Sequence, residues 1–224
     1  MAELVLVRHA QASFGAEDYD RLSELGWQQS RWLGEYFRER GTAFDRILRG
    51  SMRRHAETLS GIADGMGKPL EGAVDARLNE YDSQSLLQAH LKGGSLPESD
   101  DRRAHFRILR EAMYLWCDGT LLGKPGGAPF EPFAEFRGRV LASLAELRSG
   151  AAKRVLVVSS GGPISTILAE VLGMPLRGVV DLNLQTRNTG ITELQSGASR
   201  IHCVSFNNVP NLDRPDRAGA LTYS

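Results

Sequence analysis

The sequence has few cysteines and no excess of charge of either sign. Its two cysteines, Cys117 and Cys203, lie far apart in a chain of 224 residues and outside any C-x-x-C motif, which argues against a disulfide framework and against a zinc or redox pair. We expect both to be reduced core residues. The 27 Lys and Arg residues balance 27 Asp and Glu residues. This balance argues against a nucleic-acid-binding domain, which normally has a basic excess, and against an acidic disordered segment.

Long apolar segments are also missing. No apolar run approaches the roughly 18 residues that a membrane-spanning helix needs. The four apolar residues before Arg8 are too few for the apolar region of a signal peptide. We therefore expect a globular cytoplasmic protein, and the length fits one large domain or a domain with an inserted cap.

Short apolar runs alternate with helical patterns along the chain. Residues 4–7 and 155–158 are wholly apolar, which is typical of strands buried on both faces of a parallel sheet. Further strands are predicted at 47–48, 191–194 and 201–206, and helices after Ser23 and at 52–66, 102–116 and 132–147. This alternation predicts an α/β fold, a three-layer sandwich with a mostly parallel central sheet and helices on both faces.

Ligands bind beyond the carboxyl ends of the strands in such sheets. Arg8 and His9 follow the first strand, and residues 159–162 follow Val158 before a helix that is predicted to start at Pro163. A helix N-terminus offers N–H groups to an anion, although ordinary helix capping explains Ser159 and Ser160 about as well. These two turns are the candidate ligand sites.

Two further segments carry charged candidates. Arg53 and Arg54 open the helix after the second strand, so at least one guanidinium should reach the edge that carries His9, and a solvated basic face is the simpler interpretation for Arg53. Glu80, taken alone, is an ordinary surface carboxylate. A histidine nucleophile, arginines, a helix N-terminus and an acid together predict phosphoryl transfer.

Four segments, in order, resemble motifs of the histidine phosphatase superfamily, which includes the cofactor-dependent phosphoglycerate mutases. Residues 6–10 resemble its R-H-G signature with Ala10 in place of glycine, and 22–29 resemble L-T-x-x-G-x-x-Q. Residues 51–58 resemble S-x-L-x-R-A-x-Q-T, and 77–80 match R-L-N-E. The resemblance implies a phosphoglycerate mutase-like fold, with His9 as nucleophile, Arg8 and Arg54 as catalytic phosphate-binding residues and Glu80 as proton donor.

One motif departs from the family pattern. The family has V-S-H-G-G where this chain has V-S-S-G-G, so Ser160 stands at the position of a second histidine that contacts the phosphoryl group. Ser160 and Gly161 are expected to complete the phosphate site, but serine carries no positive charge. Losing one such donor costs about a hundredfold in rate unless another group compensates. We expect Ser160→His to raise turnover if the pocket is otherwise family-like, and we expect the nearest histidine, His55, to be structural or solvent-facing.

The resemblance implies a phosphatase that hydrolyses a small phosphate monoester through a phosphohistidine on His9, without a cofactor or a metal. The related mutases continue R-L-N-E with R-H-Y-G, whereas residues 81–84 here read Tyr-Asp-Ser-Gln, which favours a phosphatase over mutase-type transfer. We expect one domain over residues 1–224, with a helical cap at about 83–133. The expected partner is a small phosphorylated metabolite, with no nucleic acid and no membrane, and a homodimer is left open.

Three rival interpretations stay open. A hydrolase with Ser160 as nucleophile requires G-x-S-x-G, but Val158 occupies the first glycine position. A P-loop requires Ser or Thr after its lysine, but Pro69 follows Lys68. The third rival is a phosphate-binding module that lost its activity together with the second histidine.

Overall fold

The computed structural model describes residues 2–13, 20–91, 102–123 and 129–223, and within these ranges it contains one six-stranded sheet. The strands are β1 (Ala2–Arg8), β2 (Arg46–Arg49), β3 (Ala73–Val74), β4 (Arg154–Ser159), β5 (Ile191–Ser196) and β6 (Ile201–Asn208). The α-helices are α1 (Glu24–Glu39), α2 (Arg53–Met66), α3 (Ser83–Leu91), α4 (Arg102–Cys117), α5 (Phe133–Ser149), α6 (Gly161–Leu172) and α7 (Gly178–Asn183). Short 3-10 helices cover Ala76–Leu78 and Pro215–Ala220.

The strand order is β3-β2-β4-β1-β5-β6. The first four strands in this order are parallel to one another, β5 is antiparallel to β1, and β6 is antiparallel to β5. The α/β class that the sequence predicts is therefore confirmed, with a mixed sheet. Because β1 and β4 are parallel and pair Arg8 with Ser159, their carboxyl ends meet at one edge.

Side chains of the central strands alternate between two apolar clusters because successive residues of a strand point to opposite faces of the sheet. Leu4 and Leu6 pack in the cluster that α3–α7 cover, whereas Val5 and Val7 pack against α1 and α2. The wholly apolar runs in β1 and β4 are explained by this burial on both sides. Cys117 is buried, Cys203 is half-buried, and both are free.

Most helices lie where the apolar spacing predicts them. Ser23 caps α1 by accepting a hydrogen bond from the N–H of Gly26 at 3.0 Å. The prediction was wrong about α6, which begins at Gly161 and not at Pro163, because both glycines belong to its first turn. The helices α3 and α7 were not predicted, since nine and six residues are too few for a clear helical period.

The region predicted as a cap, residues 83–133, includes 92–101 and 124–128, which lie outside the described residues. Its described part consists mainly of α3 and α4. Both helices bury apolar side chains in the same cluster as Phe136 of α5, and Leu86, Met113 and Trp116 are the largest of them. No helix in the described ranges is both long and apolar enough to cross a membrane.

The position of α2 depends on close contact with α1. A Cβ added at Gly65 would lie 2.0 Å from the carbonyl oxygen of Arg31, and one added at Gly34 would lie 2.1 Å from that of Ile62. Only glycine permits this approach of the two backbones. This contact sets the distance between α1 and α2, the helix that carries Arg54 in its first turn.

Candidate active site

His9 lies directly after β1, at the sheet edge that β1 and β4 share. Its backbone N–H donates to the carbonyl oxygen of Ser159 at 2.8 Å, and its carbonyl oxygen accepts from the side-chain amide of Asn188 at 3.1 Å. The side chain is 3% exposed. Ala10 replaces the glycine of the family signature without strain, because the only non-glycine residues with positive φ in the described ranges are Thr189 and Asn207.

The His9 imidazole is held in one orientation and kept neutral. Its Nδ1 donates to the carbonyl oxygen of Ala10 at 2.7 Å, which leaves the lone pair on Nε2. Burial lowers the pKa of His9 well below its usual value, and the positive charges of Arg54 and Arg8 lower it further. A neutral imidazole with an open Nε2 is the form that can attack an electrophile.

Two buried arginines flank this histidine. Arg54, in the first turn of α2, donates from Nη1 to Asp20 Oδ1 at 2.7 Å. Arg8 donates from Nη1 to the carbonyl oxygens of Thr186 and Tyr223. The sequence interpretation of Arg53 agrees with its position, since its side chain is 53% exposed and its Nε lies 2.6 Å from Glu57 Oε1. The two buried cations therefore form the positive part of the site.

Small residues follow β4. Ser159 Oγ donates to the carbonyl oxygen of Leu78 at 2.7 Å, which ties this turn to the segment before Glu80. Ser160 occupies the N-cap position of α6, but its side chain makes no capping hydrogen bond. Its Oγ lies 2.7 Å from Nε2 of His55 instead. Ordinary capping therefore does not explain the side chain of Ser160.

Glu80 lies beside the first turn of α6. Its Oε2 accepts from the backbone N–H of Gly162 at 3.1 Å, and the residue is half-buried. Burial raises the pKa of Glu80, although the hydrogen bond from Gly162 and the charges of Arg54 and Arg8 oppose the shift. A carboxyl group with a raised pKa can hold a proton for donation to a leaving group. Glu80 is therefore not an ordinary surface carboxylate.

Of the two alternatives expected for His55, a structural or a solvent-facing residue, the structure excludes the second. The side chain is completely buried, and its ring centroid lies 5.9 Å from that of His9. A signal was available in the sequence, because His55 lies three, four and seven positions before the buried residues Thr58, Leu59 and Ile62. This spacing places His55 on the buried face of α2.

The structure removes two rival sites. Ser160 has an extended backbone with φ of −116° and a completely buried side chain, unlike the exposed serine of a nucleophile elbow. A P-loop lies between a strand and the helix that follows it. Gly67 instead ends α2 in the left-handed conformation with φ of 69°, so Gly67 and Lys68 follow a helix. Across the described residues, no three His, Cys, Asp or Glu side chains form a cluster that could hold a metal ion.

Several known proteins are similar to this chain. "Putative phosphoserine phosphatase 2" of Hydrogenobacter thermophilus is 28% identical over 225 residues, which cover 92% of this chain and 96% of that protein. A 2,3-bisphosphoglycerate-dependent phosphoglycerate mutase of Methylorubrum extorquens is 27% identical over 195 residues, which cover 82% and 85% of the two chains.

Solved structures show the same fold. A mutant phosphoserine phosphatase from Entamoeba histolytica in complex with phosphoserine superposes with a TM-score of 0.64 at 21% identity, and the match covers 95% of this chain and all of that one. Mycobacterial glucosyl-3-phosphoglycerate phosphatase superposes with a TM-score of 0.63 at 22% identity, covering 92% and 99%. The sequence pattern of the histidine phosphatase superfamily (branch 1) matches residues 4–209. The chain belongs to this superfamily.

Proposed function

We propose that the protein hydrolyses a small phosphate monoester through a phosphohistidine formed on His9. The observation that carries this proposal is the orientation of the His9 ring, in which Nδ1 is occupied by the carbonyl of Ala10 and Nε2 is left as nucleophile. Arg8 and Arg54 lie close enough to lower the pKa of this histidine. The same two cations are suited to hold the oxygens of a phosphoryl group.

The first step forms a P–N bond and breaks a P–O bond. Nε2 of His9 attacks phosphorus in line with the leaving oxygen, and the guanidinium groups of Arg8 and Arg54 neutralise charge on the other three oxygens. Glu80 gives its proton to the leaving oxygen, which departs as an alcohol. The raised pKa of Glu80 suits this donation.

The second step returns the enzyme to its starting state. The Glu80 carboxylate takes a proton from water, the water oxygen attacks phosphorus, and the P–N bond breaks to release inorganic phosphate and neutral His9. Ser160 and Gly161, at the N-terminus of α6, complete the phosphate site in this proposal. Ser160 stands in for the second family histidine and contributes a neutral hydroxyl.

The substrate is proposed to enter beside residues 83–133, which act as the cap within a single domain. Support comes from Tyr81, which links the site to α4: its ring centroid lies 4.9 Å from that of Trp116. Its hydroxyl also accepts from the side-chain amide of Asn183 at 2.9 Å. We propose that a cap packed this close to Glu80 limits the substrate to a small phosphorylated metabolite.

Hydrolysis of p-nitrophenyl phosphate by the purified protein tests the proposal. We expect release of inorganic phosphate by the wild type, loss of release in His9→Ala, and full activity in His202→Ala, which removes an exposed imidazole on β6. A rapid acid-free quench with labelled substrate should trap an acid-labile phosphoenzyme in the wild type and not in His9→Ala. If wild type and His9→Ala are equally inert while the wild type binds phosphate, the chain is a phosphate-binding module.

The alternative is mutase-type transfer, which the similarity to phosphoglycerate mutases supports. Both reactions share the phosphohistidine and differ in the acceptor, which is water in one and a substrate hydroxyl in the other. Incubation with 3-phosphoglycerate and 2,3-bisphosphoglycerate separates them. We expect inorganic phosphate as the product, and conversion to 2-phosphoglycerate without phosphate release would identify a mutase.

A further inference from the structure

His55 is a buried titratable side chain that the proposed function does not use. It lies in the first turn of α2, next to Arg54, and its ring centroid is 5.9 Å from that of His9. Its Nε2 lies 2.7 Å from Oγ of Ser160, which is completely buried as well. The contact joins the start of α2 to the start of α6 directly beside the proposed nucleophile.

The backbone around His55 leaves room for the imidazole. A Cβ added at Gly50 would lie 2.2 Å from Nδ1 of His55, so only glycine fits at the end of β2. Nδ1 itself has no hydrogen-bond partner among the described residues. The ring is therefore held by packing and by one hydrogen bond, which it shares with Ser160.

The surroundings of the two ring nitrogens favour one position for the proton of His55. A buried N–H without an acceptor is rarer and more costly than a buried lone pair without a donor, so we assign the proton to Nε2. Nε2–H then donates to Ser160 Oγ. A serine hydroxyl has one proton, and because its oxygen already accepts from His55, that proton has to point away from the imidazole.

We propose that His55 is a positioning residue, which turns the Ser160 hydroxyl into a donor toward the transferring phosphoryl group. This inference rests on the proposed function. Ser160 follows β4 just as His9 follows β1, and the two strands are paired at Arg8 and Ser159. The hydroxyl therefore lies beside the nucleophile, where the phosphoryl oxygens are expected.

The electrostatic surroundings of His55 fit this role. Burial, Arg54 and Arg49 lower the pKa of His55 to about 3, and among the described residues the other titratable side chain that faces it is His9. A neutral imidazole donates from Nε2 at every pH at which the enzyme would work. His55 and Ser160 could also be compared with the histidine base and serine nucleophile of a serine hydrolase. That arrangement needs a carboxylate on Nδ1 to orient the histidine, and none of the described carboxylates bonds to Nδ1 of His55.

This chain departs from the family motifs that it resembles at both His55 and Ser160. Those motifs have alanine after the phosphate-binding arginine and histidine at the position of Ser160, whereas this chain has histidine at the first position and serine at the second. The two departures touch each other at 2.7 Å. In this inference the imidazole of His55, on α2, acts on the phosphoryl group indirectly, by orienting the hydroxyl of Ser160.

A double-mutant cycle between His55→Leu and Ser160→Ala tests the inference, with kcat and KM for p-nitrophenyl phosphate as readouts. We expect Ser160→Ala to lower kcat about a hundredfold and His55→Leu about tenfold, with KM changed less than about threefold, because the donor acts mainly on the transition state. The double variant should lose no more than Ser160→Ala alone, since His55 acts through Ser160. His55→Gln, whose amide N–H can reach Ser160, should restore part of the loss.

The matched control is His202→Leu, the same substitution at the exposed strand β6. It should leave both constants unchanged, and thermal unfolding should show that all variants are folded. Losses that multiply to about a thousandfold in the double variant, or His55→Leu without effect on kcat, would overturn the inference.

Failure of the proposed function gives a different result. In that case the wild type releases no phosphate, and the same cycle is measured by calorimetry as affinity for inorganic phosphate. A double variant that binds as weakly as Ser160→Ala alone supports the role of His55 in directing Ser160, and independent losses contradict it.

Discussion

The carboxyl ends of β1 and β4 lie side by side, but they bring different chemistry to the same edge of the sheet. β1 ends in Arg8 and leads into the buried imidazole of His9. β4 leads into small neutral residues and the N-terminus of α6, where the N–H of Gly162 holds Glu80. In the proposed mechanism the nucleophile therefore follows β1, whereas the proton donor is held by the helix that follows β4.

This separation matters because the nucleophile and the proton donor need pKa shifts in opposite directions. Burial beside two arginines lowers the pKa of His9, so that the ring is neutral. Burial raises the pKa of Glu80, so that its proton is retained to higher pH than in an ordinary glutamate. A pair of groups whose pKa values are pushed apart supplies a base or nucleophile and an acid at the same pH. Arg8 and Arg54 lower both pKa values, so the difference arises because burial acts in opposite directions on an imidazolium and on a carboxylate.

Removing a cation on the His9 side should have the largest effect. Arg54→Ala should lower kcat/KM for p-nitrophenyl phosphate by about 10³, because a buried guanidinium no longer neutralises the phosphoryl oxygens. The adjacent Arg53→Ala is the matched control, since that side chain is exposed and paired with Glu57. It should change the rate less than about twofold. Equal losses in both variants would mean that Arg54 does not face the phosphate.

Removing the acid on the α6 side should have the next largest effect and should depend on the leaving group. Glu80→Gln should lower kcat about a hundredfold for an alkyl phosphate and less than about tenfold for p-nitrophenyl phosphate, whose leaving group needs little protonation. Glu71→Gln, at an exposed position, should have no effect on either substrate. The same loss for both substrates would rule out proton donation by Glu80.

The pH profile tests the same pair of groups. Wild-type activity should rise as pH increases through the lowered pKa of His9, because the ring becomes neutral, and should fall as pH passes the raised pKa of Glu80, because the acid loses its proton. In Glu80→Gln the fall on the alkaline side should disappear, whereas the rise on the acidic side should stay.

Placing a histidine at the end of β4 should make the two strand ends more alike but should not raise turnover. Ser160 is completely buried with His55 at 2.7 Å, so Ser160→His alone has no room, and we expect kcat to fall about 30-fold with a loss of about 1–3 kcal/mol of stability from overpacking. Adding His55→Ala creates the room and should restore most of the rate. A gain in turnover by Ser160→His alone, as expected from the sequence, would show that the pocket rearranges around the new ring.

The sequence predicted the strand ends better than the contacts between them. Arg8, His9, Arg54 and Glu80 were singled out by motifs that are local in sequence, and the structure brings the two arginines close to both other residues. Their roles in the reaction stay predictions. The contact between His55 and Ser160 was missed because it joins residues 105 positions apart. The start of α6 was misplaced because Gly161 and Gly162 are poor helix formers that tertiary contacts hold in the first turn.

Gly162 gives the mildest way to disturb the β4 side while the β1 side stays intact. A Cβ at this position would lie 2.1 Å from Glu80 Oε1 and 2.9 Å from the ring of Tyr81, so Gly162→Ala must displace the carboxylate. We expect kcat for an alkyl phosphate to fall about tenfold, because misplacing a catalytic group by a fraction of an ångström weakens proton transfer. Gly138→Ala, on α5, is the matched control, since a Cβ at this position would meet no atom within 4 Å. It should raise the free energy of unfolding by up to about 1 kcal/mol without changing kcat. Trapping of the phosphoenzyme should remain possible in Gly162→Ala, because His9 and both arginines are untouched, and its loss would show that the two strand ends do not act separately.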